Sequence, residues 1–164
     1  MDKQKHYETI IGGVAQVIKN SSSPETILLE TCKLLAENVD HYNWVGFYLV
    51  EPGKKSLFLG PYVGAPTDHV SIPFGQGICG QVAESKKSMV VQDVNAVDNY
   101  LACSLHVKSE IVVPVFYKGD FIGELDIDSH TMAPFTEWDE ILLKDVAAKV
   151  SDVIPEFLNH RADS

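Results

Sequence analysis

Apolar residues recur at helical spacing near the start of the chain, where Ile10, Ile11, Val14, Val17 and Ile18 predict a helix over about residues 6–20, weakened by Gly12 and Gly13. Ser21, Ser22, Ser23 and Pro24 break it. Ser23 as N-cap, with Pro24 at the first helical position, starts a second helix whose Ile27, Leu28, Thr31, Leu34 and Leu35 stripe faces inward. Cys32 lies beside that stripe and reads as a small buried hydrophobe. From Asn43 to Val50 the residues are aromatic and β-branched, and Glu51, Pro52 and Gly53 supply turn chemistry before a second strand at 56–59. A later hairpin pairs 111–117 with 121–127 about a Lys118-Gly119-Asp120 turn. The region between the hairpins is the least regular, and function collects in such segments. It holds Pro66, Pro73, a Gly75-Gln76-Gly77 turn, a short helix near 78–84, a strand near 89–91 and a loop over 93–105. Thr136 caps a C-terminal helix carrying Ile141, Leu142, Val146, Val150, Val153 and Ile154, which Pro155 is expected to kink or shorten. Hairpins flanked by terminal helices predict an α+β domain, an antiparallel sheet with the N- and C-terminal helices packed on one side.

The 164 residues, 45% of them apolar, suit one domain over 1–164 with a single core. With 13 basic and 23 acidic residues the net charge is -10, which repels a nucleic-acid backbone and an anionic lipid surface alike. No apolar run approaches the roughly 18 to 20 residues of a membrane span, and the first residues lack a signal-peptide core, so a cytoplasmic protein is expected. Cys32, Cys79 and Cys103 are odd in number and lack C-x-x-C spacing, which suits neither a secreted disulfide framework nor the usual zinc site. They are read as thiols, and no metal or cofactor is expected.

Periodicity makes its sharpest statement in the segment Gly123-Glu124-Leu125-Asp126-Ile127-Asp128-Ser129. A period of 2 sends Leu125 and Ile127 to one face and Glu124, Asp126 and Asp128 to the other. A turn near Gly119 sets Glu110 across from Asp128 on that same face. Such a face is either solvated or a covered cluster of carboxyls. The run Ile111-Val112-Val113-Pro114-Val115, apolar on both faces, argues for cover. Carboxylates crowded in a covered site repel one another, so one can hold a proton near neutral pH, and together they attract an ammonium group. In the first strand Trp44, Gly46 and Tyr48 share one face, as core packing or as a slot for a small apolar or S-methyl group. Cys103 lies in the irregular loop, near His106 and Lys108. Cys79 begins the short helix, where the dipole favours thiolate. The Gly75-x-Gly77-x-x-Gly80 spacing matches a dinucleotide fingerprint on paper but lacks the βαβ context, and is set aside.

Several segments together resemble one family, the free methionine-(R)-sulfoxide reductases built as a single GAF domain. They are Asn43-Trp44-Val45-Gly46-Phe47-Tyr48-Leu49, Gly60-Pro61-Tyr62, Gly75-Gln76-Gly77-Ile78-Cys79-Gly80, Ala102-Cys103, Ser109-Glu110-Ile111-Val112-Val113-Pro114 and Leu125-Asp126-Ile127-Asp128-Ser129. The resemblance implies thiol-dependent reduction of free L-methionine (R)-sulfoxide, with Cys103 as nucleophile and a sulfenic acid as intermediate. It further implies that Glu110, Asp126 and Asp128 engage the ammonium and sulfoxide ends, Asp128 also serving in catalysis, and that Trp44 and Tyr48 receive the S-methyl group. A second thiol and thioredoxin or a similar dithiol then reset the enzyme, and pairing through terminal helices gives a homodimer. The chain departs from the family in three places. A cysteine usual about ten residues before Cys79 is absent and Asp68 or His69 takes its place. Recycling is therefore expected through Cys79, through Cys32 or directly through an external thiol, and the resemblance, which sets Cys79 near the nucleophile, favours Cys79. Ser104 stands where aspartate is common, and Glu124 where a small apolar residue is usual. The alternative reading is a non-catalytic GAF module that binds a small ligand as a sensor.

Overall fold

The computed structural model describes residues 2–101 and 106–162. Helix α1 (Lys3–Asn20) begins where the Asp2 side chain accepts from the Lys5 amide, and α2 (Pro24–Asn38) where Ser23 accepts from Thr26. The strands are β1 (Trp44–Val50), β2 (Ser56–Val63), β3 (Ser71–Pro73), β4 (Met89–Val91), β5 (Ser109–Tyr117) and β6 (Asp120–Ser129). They form one antiparallel sheet in the order β3-β2-β1-β6-β5-β4, so β6 lies in the middle, between β1 and β5. Helix α3 (Gly77–Ser85) joins β3 to β4, and α4 (Glu137–Lys149) and α5 (Val153–Ala162) close the chain.

The pleat of the sheet separates two apolar clusters. Val45, Phe47, Leu49, Ile111, Val113, Val115, Leu125 and Ile127 face the four terminal helices, whose Ile10, Leu28, Leu35, Leu142 and Val146 complete that core. The other face packs Trp44, Tyr48, Leu57 and Val112 beneath Ile78, Cys79 and Val82 of α3. The terminal helices therefore lie on one side, as the hydrophobic pattern predicts, and the sheet is covered on both. Cys32 is fully buried in the helix-side core with its thiol directed to the Pro61 carbonyl. Among the described residues no helix is long and apolar enough to cross a membrane.

Three details differ from the sequence reading. The predicted C-terminal helix is two helices, broken at Ser151 and Asp152, and Pro155 sits in the first turn of α5, where its missing N–H costs nothing. Strand β2 continues through Pro61 to Val63, and the short β3 at its edge escapes the pattern because only Ile72 of its three residues is buried. In α4, Asp139 acts as more than a dipole partner. Its carboxylate accepts from the Thr136 amide at 2.8 Å, from the Tyr42 hydroxyl at 2.6 Å and from His41 Nε2 at 3.1 Å, joining α4 to the segment before β1.

Burial alone would raise the Asp139 pKa, but the hydrogen bonds from His41, Tyr42 and Thr136 outweigh it and hold the pKa below the ordinary aspartate value. A lowered folded-state pKa contributes stability above the unfolded pKa and loses it as pH falls through the folded one. Asp139→Ala is expected to cost about 2–4 kcal/mol at pH 7. Urea denaturation at pH 7 and at pH 3 checks this, the deficit narrowing at the lower pH.

Candidate active site

Strand register lays the polar groups of the α3 side out in three rows across β5, β6 and β1. Glu110, Asp128 and Trp44 form the first, Val112, Asp126 and Gly46 the second, and Pro114, Glu124 and Tyr48 the third. The alternation in β6 that sends Leu125 and Ile127 into the helix-side core thus puts three carboxyls in file. Glu110 joins them from β5 at the expected position. None is solvated: Glu110 is 5% exposed, Asp126 and Asp128 1%, and Glu124 0%.

Helix α3 lowers Cys79 onto this file. The Cys79 Sγ lies 3.3 Å from Asp126 Oδ2 and 3.8 Å from Glu110 Oε2. The helix start is built by Gly77, whose positive φ of 65° suits glycine and whose missing side chain leaves room for Leu101. Its amide donates to Asn99 Oδ1 at 2.9 Å, which ties the irregular loop to the helix. Cys79 is the third residue of α3, where the dipole alone favours thiolate, but the structure reverses that expectation. Burial first, then the charges of Asp126, Glu124 and Glu110, push its pKa well above the usual thiol value. Cys79 is a buried, protonated thiol.

Burial also raises the pKa of Glu124 well above the usual carboxyl value, against a partial opposing effect of the Cys79 thiol. Asp126 is raised for the same first reason, with hydrogen bonds from Glu110 and Cys79 opposing. Among the described residues neither has a salt bridge, and both oxygens of Glu124 and Oδ1 of Asp126 have no partner at full hydrogen-bond geometry. A carboxyl so placed keeps its proton near neutrality.

The Trp44 ring lies over Gly46 and stacks between Tyr62, at 5.3 Å between centroids, and Tyr48, at 6.2 Å. A Cβ on Gly46 would lie 2.4 Å from the Trp44 ring, so the glycine makes room for the indole itself. Sequence reasoning left Tyr62 without a role, although its pairing with Gly46 across β1 and β2 is what aligns the stack. The Trp44 Nε1 donates to the Ala65 carbonyl at 3.0 Å and the Tyr48 hydroxyl to that of His69 at 2.8 Å, so both rings fasten the segment after β2.

Tyr48, Cys79, Glu110 and Asp126 meet at one enclosed cavity of about 10 Å³, room for a single water-sized sphere, whose wall includes His69 and Leu101. Trp44 and Asp128 share the row of Glu110 but do not line this cavity. Cys103 falls within 102–105, outside the described residues, two positions after Leu101. A wider cleft of about 350 Å³ opens between Lys3, His6, His41 and Trp138, but neither a thiol nor any of the four clustered carboxyls reaches it.

The fold and this covered face are those of a GAF domain, and the GAF domain family model matches residues 23–154. The free methionine-R-sulfoxide reductase of Escherichia coli (strain K12) is 34% identical over 154 residues, covering 94% of this chain and 92% of that one. The chain belongs to the free methionine-R-sulfoxide reductase family. Two solved structures agree in fold. The Neisseria meningitidis enzyme in complex with its substrate superposes with a TM-score of 0.87 at 35% identity, over 94% of this chain and 92% of its own. The type II enzyme of Thermoplasma acidophilum gives 0.78 at 39% identity, over 82% and 94% respectively.

Two substitutions test this geometry. Gly46→Ala is expected to displace the Trp44 ring and lower stability by about 1–3 kcal/mol, read by urea denaturation, with loss of near-ultraviolet circular dichroism from the stacked rings. For Glu124, a raised folded-state pKa means a contribution that is full below the unfolded pKa and is lost as pH rises through the folded one. Glu124→Leu should therefore stabilise the protein by about 1–4 kcal/mol at pH 8 and by less at pH 4.5. Equal effects at both pH values would show that Glu124 titrates normally.

Proposed function

We propose that this protein reduces free L-methionine (R)-sulfoxide to methionine, with Cys103 as nucleophile and Cys79 as recycling thiol. The observation that carries this reading is the buried Cys79, Glu110 and Asp126 cluster beside the Trp44 and Tyr48 rings, in a chain of this family. The Cys103 thiolate attacks the sulfoxide sulfur and forms a sulfur–sulfur bond. The oxygen takes up a proton and passes from that sulfur to Cys103 as both the S–O and the sulfur–sulfur bonds to methionine break, and the products are a Cys103 sulfenic acid and methionine. Sulfoxide oxygen is a poor leaving group unless protonated. Asp126, kept neutral by burial, and Asp128 beside it on the same face supply that proton in this scheme. Glu110 and Asp128 hold the substrate ammonium, and Trp44 and Tyr48 enclose its S-methyl group.

The Cys79 thiol next condenses with the sulfenic acid, forming a Cys79–Cys103 disulfide and releasing water. Thioredoxin or a similar dithiol then attacks the disulfide, regenerates both thiols and leaves as its own disulfide. Relatives named as free methionine-R-sulfoxide reductases in Escherichia coli and the substrate-bound neighbour from Neisseria meningitidis support the substrate class. The placement of Asp68 and His69 where a cysteine is usual favours one competing reading, a GAF module that binds the sulfoxide without reducing it.

Chiral analysis of free methionine sulfoxide, after incubation with protein and either dithiothreitol or thioredoxin, separates the two. We expect loss of the R epimer alone. Cys103→Ser should lower turnover about a thousandfold or more. Cys79→Ser should retain a first turnover but lose about tenfold or more of the thioredoxin-dependent rate. A thermal shift with the sulfoxide but no turnover under either reductant would establish the sensor reading.

A further inference from the structure

The cluster under α3 contains more anionic donor atoms than one substrate ammonium needs. Cys79 Sγ, one Glu110 oxygen and one Asp126 oxygen all lie within 4.8 Å of one another, and all three residues are buried. Zinc–sulfur and zinc–oxygen bonds of about 2.3 and 2.1 Å at tetrahedral angles require sulfur and oxygen ligands about 3.6 Å apart. The two S···O separations here, 3.3 and 3.8 Å, bracket that edge before any ion binds. The space these donors line, about 10 Å³, fits a sphere of ionic size.

Glu124 is the second and independent observation. Its side chain is fully buried, neither oxygen has a partner at full hydrogen-bond geometry, and the one group that reaches it is the Cys79 thiol. Nothing in the scheme for sulfoxide reduction employs it. A buried carboxyl in reach of the Cys79 thiol, beside three convergent donors, is the fourth ligand that a tetrahedral ion lacks.

We propose that Cys79, Glu110, Asp126 and Glu124 form a binding site for Zn²⁺. One thiolate with carboxylate oxygens in a small four-coordinate space selects a borderline ion over Ca²⁺ or Mg²⁺, which demand more oxygen ligands or retained water. Three carboxylates and a thiolate around a dication leave a net charge of -2, the same as a four-cysteine zinc site. Binding releases the protons that Cys79 and its neighbours hold, so affinity rises with pH. The bound ion takes up the recycling thiol and the acid together. Resting on the proposed function, Zn²⁺ therefore inhibits sulfoxide reduction reversibly, and methionine sulfoxide competes with it.

The test is titration of the reduced full-length protein, in a thiol-free reductant, with Co²⁺ as a spectroscopic probe and Zn²⁺ as its competitor. We expect one Co²⁺ per chain, with a thiolate-to-cobalt charge-transfer band and the intense visible bands of four-coordination, both erased by Zn²⁺. Cys79→Ser should abolish the charge-transfer band, while Cys32→Ala and Cys103→Ser keep it. Loss of a supporting residue alone costs 10–100-fold in affinity, so Glu124→Leu should weaken binding about tenfold or more. A charge-transfer band that survives in Cys79→Ser, six-coordinate spectra, or unchanged affinity in Glu124→Leu would overturn the site. The optical titration reads binding without turnover, so it stands or falls separately from the reductase assay. Zn²⁺ binding without inhibition would remove only the regulatory clause.

Discussion

Strand β6 forces one exchange on the molecule: every apolar residue it contributes to the helix-side core brings a carboxyl to the opposite face. Leu125 and Ile127 are completely buried, and so are Glu124, Asp126 and Asp128 to within 1%. Removing carboxylates from water without countercharges costs several kcal/mol apiece, and proteins avoid that cost by leaving the groups protonated. Neither Glu124 nor Asp126 has a salt bridge among the described residues, and both have raised pKa values for that reason. Glu124 and Asp126 thus hold their protons more tightly than ordinary carboxyls because of where β6 lies, at the centre of a sheet covered on both sides. The apolar packing on the other face offsets the cost of the arrangement.

Helix α3 gives the buried acids their neighbour. It could cover the sheet with aliphatic residues alone, as Ile78 and Val82 do, yet it places Cys79 between them and the Asp126 carboxyl. Opposite it, Trp44 and Tyr48 donate to the Ala65 and His69 carbonyls and hold the segment after β2 against the same cavity. An amino acid is far larger than the space of about 10 Å³ between these walls. The strands behind these walls are fixed from the other face by the helix-side core.

Most of this was legible in the sequence where periodicity speaks. The period of β6, the partner position of Glu110 and the apolar cover from Ile111 to Val115 predicted the carboxyl file residue by residue, since a strand offers only two faces. The resemblance to the family carried the fold. Three features were not readable, each for a physical reason. A helix start suggested a thiolate at Cys79, because the carboxyls that oppose the dipole come from strands 31 and 47 residues away. The part Tyr62 takes in the stack on Trp44 follows from its pairing with Gly46, a register that no local pattern encodes. The break between α4 and α5 precedes Pro155 because a proline is compatible with a first helical turn.

The raised pKa of Cys79 appears at first to argue against a recycling role, since a thiolate is the attacking species. The intrinsic nucleophilicity of a thiolate increases with its pKa, however, and the fraction ionised is a local matter. In the proposed reaction Asp126 has already given its proton to the sulfoxide oxygen, so its Oδ2, 3.3 Å from Cys79 Sγ, can take the thiol proton at the moment of attack. The same neighbourhood keeps Cys79 unreactive toward free oxidant between turnovers, because a buried, protonated thiol is not led up the oxidation ladder. In the proposed reaction a cysteine held in this way is reserved for a sulfenic acid brought to it. That restriction suits a chain in which no further cysteine stands near Asp68 and His69 to take its place.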